Sequence, residues 1–427
     1  MGSITLEDNM DFKKLLDGMD NCECGMQHHC PMDYVIIEHD ALKKLPGICR
    51  EYQNILLVCD NNTFNVCGQE TANILGTKIE NSIVFNAGKN PLIPNEASIK
   101  TIDEKTTEKT DLILGVGSGV INDLCKHVSF KHNLPYFIVA TAPSMDGYAS
   151  SGSALILKGM KVTLNAASPK AIIADTAVLK DAPTEMIIAG YGDIIGKYSC
   201  LNDWKLSAIV NDEYFCQTVY SFTYEMAEQV KKLAKALLLR DEEAVGALME
   251  ALVAVGIAMA YVGTSRPASG SEHHLSHFFE ITGILSQKPY FVHGIDVAYS
   301  AVVTAKLREK ILMLTPDRKQ FDEKLWEKEI KRIYLGSAEE IIKFQQKAGW
   351  YYKDNSQKVL ENWEEIKKLL QSAPSEHEMI EMLDAVGLEY DSFVDMYGLE
   401  KINDGVMYGK DLKDRYSVLW LYYEFFR

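Results

Sequence analysis

Leu112-Ile113-Leu114-Gly115-Val116-Gly117-Ser118-Gly119-Val120-Ile121-Asn122-Asp123 is the stretch on which the fold turns. Its first six residues form an unbroken apolar run, short enough for a strand and lacking the alternation of a half-exposed one. Such a run belongs to a parallel sheet covered on both faces. The glycines that follow make a tight turn, and Val120 to Lys131 continues as a helix. A glycine turn at the start of a helix lets backbone approach a pyrophosphate, and the helix supplies unpaired N–H groups and partial positive charge. Gly117, Ser118, Gly119, Val120 and Ile121 are therefore candidate dinucleotide contacts. The spacing is G-x-G-x-G rather than the G-x-G-x-x-G fingerprint, and it follows a late strand rather than the first. A strand-to-helix turn without a ligand is the plain alternative.

The same rhythm extends outward. Tyr34 to Glu38, Ile55 to Asp60, Ser82 to Phe85 and Tyr136 to Ala140 read as strands, with helical stretches such as Asn61 to Leu75 between them. Alternating strands and helices mean βαβ units. Residues 148–182 break the pattern with small residues and short β-like pieces, and from about Thr184 the chain reads as helical to its end. The longest helical stretches are Thr218 to Leu239 and Glu242 to Val262, and Lys319 to Lys368 reads as solvated amphipathic helices. The expected division is a leader at 1–32, an α/β dinucleotide-binding domain at 33–182 and a helical metal- and substrate-binding domain at 183–427.

Asp60 ends a strand, where a carboxylate can accept hydrogen bonds from an adenosine ribose. It can equally cap the helix that begins beside it. Thr141-Ala142-Pro143-Ser144-Met145-Asp146-Gly147-Tyr148-Ala149-Ser150 follows another strand end and is dense in hydroxyls, with one acid. That composition suits cofactor and substrate contacts, although Pro143 and Gly147 would also serve a purely structural turn.

Asp193 and three histidines carry the second chemical signal. They lie in Gly192-Asp193-Ile194, in Ser269-Gly270-Ser271-Glu272-His273-His274-Leu275-Ser276-His277 and in Val292-His293-Gly294. One carboxylate with imidazoles from separate segments is the ligand set of an open divalent site, with positions left for a substrate oxygen. His273 and His277, spaced i, i+4, share one face if their segment is helical. An Asp before a helical run such as Ile194 to Leu206 is otherwise an ordinary cap, and His293 beside Gly294 suits a turn. The donor set does not choose among zinc, nickel and iron. Metal and nucleotide motifs in one chain point to alcohol or ketone redox chemistry.

Composition limits the rest. With 44 basic and 60 acidic side chains the formal charge is −16, which repels nucleic-acid phosphates. No run of about 18 or more apolar residues appears, so no membrane insertion is expected. The start lacks a signal pattern, and nine scattered cysteines suit a reducing, cytoplasmic setting. Cys22-Glu23-Cys24-Gly25-Met26-Gln27-His28-His29-Cys30 concentrates three of those cysteines and two histidines. Its C-x-C-x5-C spacing, with no distant partner pair, matches no zinc finger, and it reads as a structured strap, with binding of a second metal as the alternative.

Taken in order, Gly117 to Asp123 with Lys126, Thr141 to Gly147, Gly192-Asp193, Ser269 to His273 and His293-Gly294 resemble sn-glycerol-1-phosphate dehydrogenase of the bacterial branch. That group lies in the superfamily of iron-type alcohol dehydrogenases, glycerol dehydrogenase and dehydroquinate synthase. The resemblance covers roughly Tyr34 to Lys310 and leaves the tail unplaced. It implies a dehydroquinate synthase-like fold, an α/β nucleotide-binding part followed by an all-α part, and a homodimer. It implies a metal on Asp193, His273 and His293, and NAD(H) or NADP(H) contacts at Asp60, Gly117 to Ile121, Thr141, Ala142, Pro143, Ser144 and Ser150. Asp146, His277 and Asp193 would face a small phosphorylated substrate, with His277 as a proton relay. Lys126, Lys197 and Arg266 are candidates to meet its phosphate. The implied reaction interconverts dihydroxyacetone phosphate and sn-glycerol-1-phosphate by hydride transfer at C2. A polyol or related hydroxy-phosphate or phosphonate dehydrogenase, and a silent metal- or nucleotide-binding protein, are the alternatives. A lyase like dehydroquinate synthase is disfavoured by Asp193, since that family carries glutamate as its first ligand.

Overall fold

The computed structural model describes residues 10–88, 92–157 and 160–427, so the leader's first nine residues lie outside it. Two compact units result. The first holds the described residues up to Tyr191 together with Lys235–Thr264, and the second Gly192–Ala234 with Ser265–Arg427.

Among the described residues the first unit holds eight strands: β1 (Tyr34–Glu38), β2 (Ile55–Asp60), β3 (Ile79–Phe85), β4 (Leu112–Gly117), β5 (Tyr136–Ala140), β6 (Gly152–Leu157), β7 (Met160–Asn165) and β8 (Ala171–Asp175). Six form a sheet of order β1-β8-β5-β4-β2-β3, and β6 and β7 make a separate antiparallel pair. Every pairing in the large sheet is parallel. Its central strands are buried along their whole length on both faces, which is why Leu112 to Gly117 shows no polar alternation. One face packs Ile55, Leu57, Cys59, Leu112, Leu114, Val116, Phe137 and Val139 into a continuous core.

Strand order locates the ligand-binding edge. The chain leaves β2 for β3 on one side and returns to β4 on the other, so the order reverses between β2 and β4. In open α/β sheets the crevice outside the strand C-termini at such a reversal is where ligands bind. Cys59 pairs with Val116 and Gly117 with Ala140, so the ends of β2, β4 and β5 lie side by side.

The helix Glu242–Val262 belongs to this unit although it follows the β-region by some sixty residues of chain. By length and composition it is the one helix, among the described residues, apolar enough to cross a membrane. Of its most apolar stretch, 78% is buried inside the fold, so it serves as a core helix.

The second unit is helical throughout its described length. Gln217–Lys231 and Ala234–Leu238, the latter falling almost wholly in the first unit, replace the single expected helix from Thr218 to Leu239, since the chain turns at 232–233. The helix His293–Leu312 sits at its centre and packs against Ser271–Ser286, Trp363–Gln371, Glu376–Asp384 and Val418–Phe425. The residues past Lys310 are thus part of the unit that carries the histidines, and Val418 to Phe425 is buried at every position.

Candidate metal and nucleotide sites

In the first unit three short segments meet at the strand ends. Ser118 precedes the helix Gly119–His132 without a side-chain cap, so its first N–H groups are met by no side chain of Ser118. A Cβ at Gly117 would stand 2.7 Å from Ile121, so only glycine lets strand and helix close this tightly. The Thr141 N–H donates to Gly117 O at 3.1 Å, and Tyr148 Oη–H donates to Ala142 O at 2.7 Å. These two bonds hold the Thr141 to Ser144 loop beside the glycine turn. Asp60 takes the capping role: its Oδ1 accepts from the Asn62 and Thr63 N–H groups at 2.8 and 2.9 Å. A ribose would meet a carboxylate already oriented by the helix it caps. A helix start that the Ser118 side chain does not cap, a glycine that excludes Cβ and a fixed acid suit a dinucleotide.

Lys126 is fully buried on the same helix. Its Nζ donates to Gly147 O at 2.8 Å, Gly152 O at 3.2 Å and Ser150 Oγ at 3.3 Å. Burial drags its pKa down to about 8 against the raising effect of Asp123 and Asp146. The lysine therefore braces the loop that carries Asp146 and Ser150. Asp146 opens a short 3-10 turn and is buried.

In the second unit Asp193 is not a helix cap. It lies inside the helix Thr184–Ile195 and is fully buried, because the helical run begins ten residues earlier than the Ile194 start expected. Gly192 explains how it gets there. A Cβ at Gly192 would collide with Gly294 O and stand 2.8 Å from Ala298 Cβ, so glycine allows two helix backbones to touch. That contact sets Asp193 beside His293, which is the first residue of the helix His293–Leu312 rather than part of a turn.

Donor atoms of Asp193, His273 and His293 all lie within 4.8 Å of one another. His273 Nε2 is 3.5 Å from Asp193 Oδ1. The His277 ring centroid is 6.1 Å from that of His273 and 5.4 Å from that of His293, confirming the shared helix face. Lys197, one turn after Asp193 and equally buried, donates to Asp193 Oδ1 at 2.8 Å and to Ala268 O at 3.1 Å. Burial alone would raise the Asp193 pKa, but Lys197, His273 and His293 hold it down at about 2. Burial, reinforced by Lys197, pushes His273 down to about 3, so its imidazole is neutral and able to ligate.

Glu272 and Ser276 were given no role from sequence, although both lie in the quoted histidine run. His273 Nδ1–H donates to Glu272 Oε1 at 2.6 Å, and that oxygen also accepts from the Gly270 N–H at 2.9 Å. The bond fixes the tautomer and turns the Nε2 lone pair toward Asp193. Ser276 Oγ is 3.2 Å from His293 Nδ1. Asp203, for which the sequence offered no signal, accepts from the Ser271 N–H at 2.6 Å and the Val418 N–H at 2.7 Å. It anchors the start of the histidine helix. A neutral imidazole oriented by a carboxylate, an ionised buried aspartate and a second imidazole fit a divalent cation. Arg266 points elsewhere: its guanidinium pairs with both oxygens of Glu213 and donates to Tyr416 O at 2.8 Å.

Residues 36–183 match the family model of iron-containing alcohol dehydrogenases. The chain is 36% identical over 292 residues to glycerol-1-phosphate dehydrogenase (NAD(P)+) of Halalkalibacterium halodurans, covering 67% of this chain and 73% of that protein. It is 32% identical over 336 residues to the enzyme of that name from Geobacillus thermodenitrificans, covering 75% and 82%. A probable glycerol dehydrogenase from Sinorhizobium meliloti shares the fold, with a TM-score of 0.59, 16% identity and coverage of 88% and 87%. This chain belongs to the glycerol-1-phosphate dehydrogenase family of the iron-containing alcohol dehydrogenase superfamily.

Proposed function

We propose that this protein is a metal-dependent, NAD(P)-linked oxidoreductase that interconverts dihydroxyacetone phosphate and sn-glycerol-1-phosphate. The observation that carries the reading is the convergence of Asp193, His273 and His293 in a chain whose relatives bear that enzyme's name. When bound, a divalent cation polarises the C2 oxygen of the substrate and the nicotinamide ring gives or takes the hydride. Asp193, His273 and His293 would hold the cation, and zinc, nickel and iron all suit one carboxylate and two imidazoles.

The remaining residues position and protonate. Glu272 keeps His273 in its ligating tautomer, and Ser276 steadies His293. His277, half-exposed beside both other rings, would pass a proton between the C2 oxygen and water. Gly117 to Ile121, Thr141 to Ser144 and Asp60 would bind the dinucleotide, Gly117 by excluding side-chain bulk and Asp60 by accepting from the ribose. Lys126 orders the Ser150 and Asp146 loop from beneath. Of the three proposed phosphate cations, Lys197 stands within the histidine cluster, since its ammonium already contacts Asp193. A cytoplasmic homodimer completes the reading, with size-exclusion light scattering as its check.

The test is NADH oxidation by metal-reconstituted protein with dihydroxyacetone phosphate, run beside unphosphorylated dihydroxyacetone. Turnover of the phosphate ester alone is expected. Turnover of the free ketone alone would favour a polyol dehydrogenase. The internal engagement of Lys126 and Arg266 is the observation that keeps this second reading in view.

A further inference from the structure

The Cys22 to Cys30 strap lies outside the segment matched by the family model and has no part in the site above. The fold gathers it. Met19 and His28 exchange two backbone hydrogen bonds of 2.9 Å, which closes the intervening residues into a loop. Within that loop the Gly25 N–H donates to Cys22 O at 2.9 Å, and Gly25 has φ of +81°, a left-handed turn that glycine adopts without strain. The turn brings the two cysteines back toward His28. Cys24 Sγ is 3.3 Å from His28 Nε2, and Cys22 Sγ joins them with all donor atoms within 4.8 Å of one another.

His28 is fully buried, and its orientation is fixed. Its Nδ1–H donates to Tyr261 O at 2.9 Å and its ring packs 5.6 Å from the Tyr261 ring. Tyr261 Oη–H in turn donates to Leu15 O. The tautomer this imposes leaves the Nε2 lone pair facing the sulfurs, the outer-shell arrangement of a ligating histidine. A single S–H···N hydrogen bond would account for Cys24 and His28. It would not account for a second sulfur from Cys22 in the same cluster. Ligand atoms on a tetrahedral zinc, with Zn–S of about 2.3 Å and Zn–N of about 2.0 Å, stand roughly 3.5 to 3.8 Å apart. The Cys24–His28 separation of 3.3 Å is close to that spacing, and the other donor atoms lie within 4.8 Å.

We propose that Cys22, Cys24 and His28 form a second, structural metal site that takes a borderline-soft divalent ion of the zinc class. Two thiolates and an imidazole select such an ion over magnesium or calcium. Binding expels the two thiol protons to solvent and leaves at least one coordination position for a further ligand. The ion locks the N-terminal strap to the end of the helix Glu242–Val262, where Tyr261 lies. It needs no redox change and is independent of the substrate reading.

Cobalt(II) titration of the metal-free, full-length chain under reducing conditions tests this. The Asp193 cluster contains no sulfur among its donors, so sulfur-to-cobalt charge-transfer absorption in the near ultraviolet reports thiolate ligation and not that cluster. The expected result is such a band in the wild type, displaced by zinc. It should be lost in Cys22→Ser and in Cys24→Ser, weakened in His28→Ala, and kept in Cys30→Ser and in His273→Ala. Limited proteolysis should cut within 19–30 only after the metal is removed. Absence of the band from cobalt-saturated wild type overturns the proposal whatever the variants do. So does a band that survives Cys24→Ser, or one lost only in Cys30→Ser.

Discussion

If His273 holds a metal as proposed, Glu272 sets how well it can do so. Fully buried, it takes the His273 Nδ1–H and the Gly270 N–H on one oxygen. Replacing it with glutamine offers that imidazole a weaker acceptor and leaves the backbone path intact. Glu272→Gln should weaken metal affinity by about 10- to 100-fold, measured by chelator competition, with an unchanged circular dichroism spectrum. Unchanged affinity would remove Glu272 from the site. Gly192 acts by what it lacks. Gly192→Ala places a Cβ against Gly294 O, and the two helices must part. A loss of about 1–3 kcal/mol in urea unfolding is expected, with loss of metal. At this scale the residues that converge were legible, because Asp193, His273, His277 and His293 stand in short conspicuous motifs. Asp203 and Glu213 were not, since a buried acid that ties distant backbone or an arginine has no local pattern.

At the scale of elements, Glu242 holds together the start of the helix Glu242–Val262. Its carboxylate accepts from Thr176 Oγ1 at 2.7 Å and Lys180 Nζ at 2.8 Å, and pairs with His39 Nδ1 at 2.6 Å. Bonds from Lys180, His39 and Thr176 press its pKa from 4.5 down to about 2. A carboxyl depressed on folding stabilises above its unfolded pKa, and that contribution is lost as pH falls toward the folded value. Glu242→Gln should therefore cost about 1 kcal/mol near neutral pH. The gap between variant and wild type should narrow below pH 4.5, as followed by urea midpoints. A gap that stays constant down to pH 3 would show that these bonds do not depend on charge. Strands were the most legible elements, and Tyr136–Ala140 matches the expected span to the residue. Helix starts were less so: Asp193 looks like a cap because Gly192 precedes it, yet tertiary packing carries the helix past that glycine.

At the scale of the molecule, the sheet order matters most for the cofactor. The reversal between β2 and β4 aligns Asp60, Gly117 and Thr141, which lie some eighty residues apart in the chain. Gly117→Ala should raise the KM for NADH at least several-fold while metal content stays at the wild-type level, since the clash with Ile121 lies in the first unit alone. An unaltered KM would detach the glycine turn from cofactor binding. The return of Glu242–Val262 to the first unit could not be read from sequence, because an apolar helix carries no label of the surface it will cover. The tail past Lys310 was silent for the same reason, and packing alone shows that it completes the helical unit.

The measurement that bears most directly on the central claim is the reduction of dihydroxyacetone phosphate by NADH, followed with metal-reconstituted wild type and His273→Ala. The account predicts turnover in the wild type, abolition by chelator and by His273→Ala, and little activity with unphosphorylated dihydroxyacetone. Equal turnover by His273→Ala, or by protein stripped of metal, would contradict it.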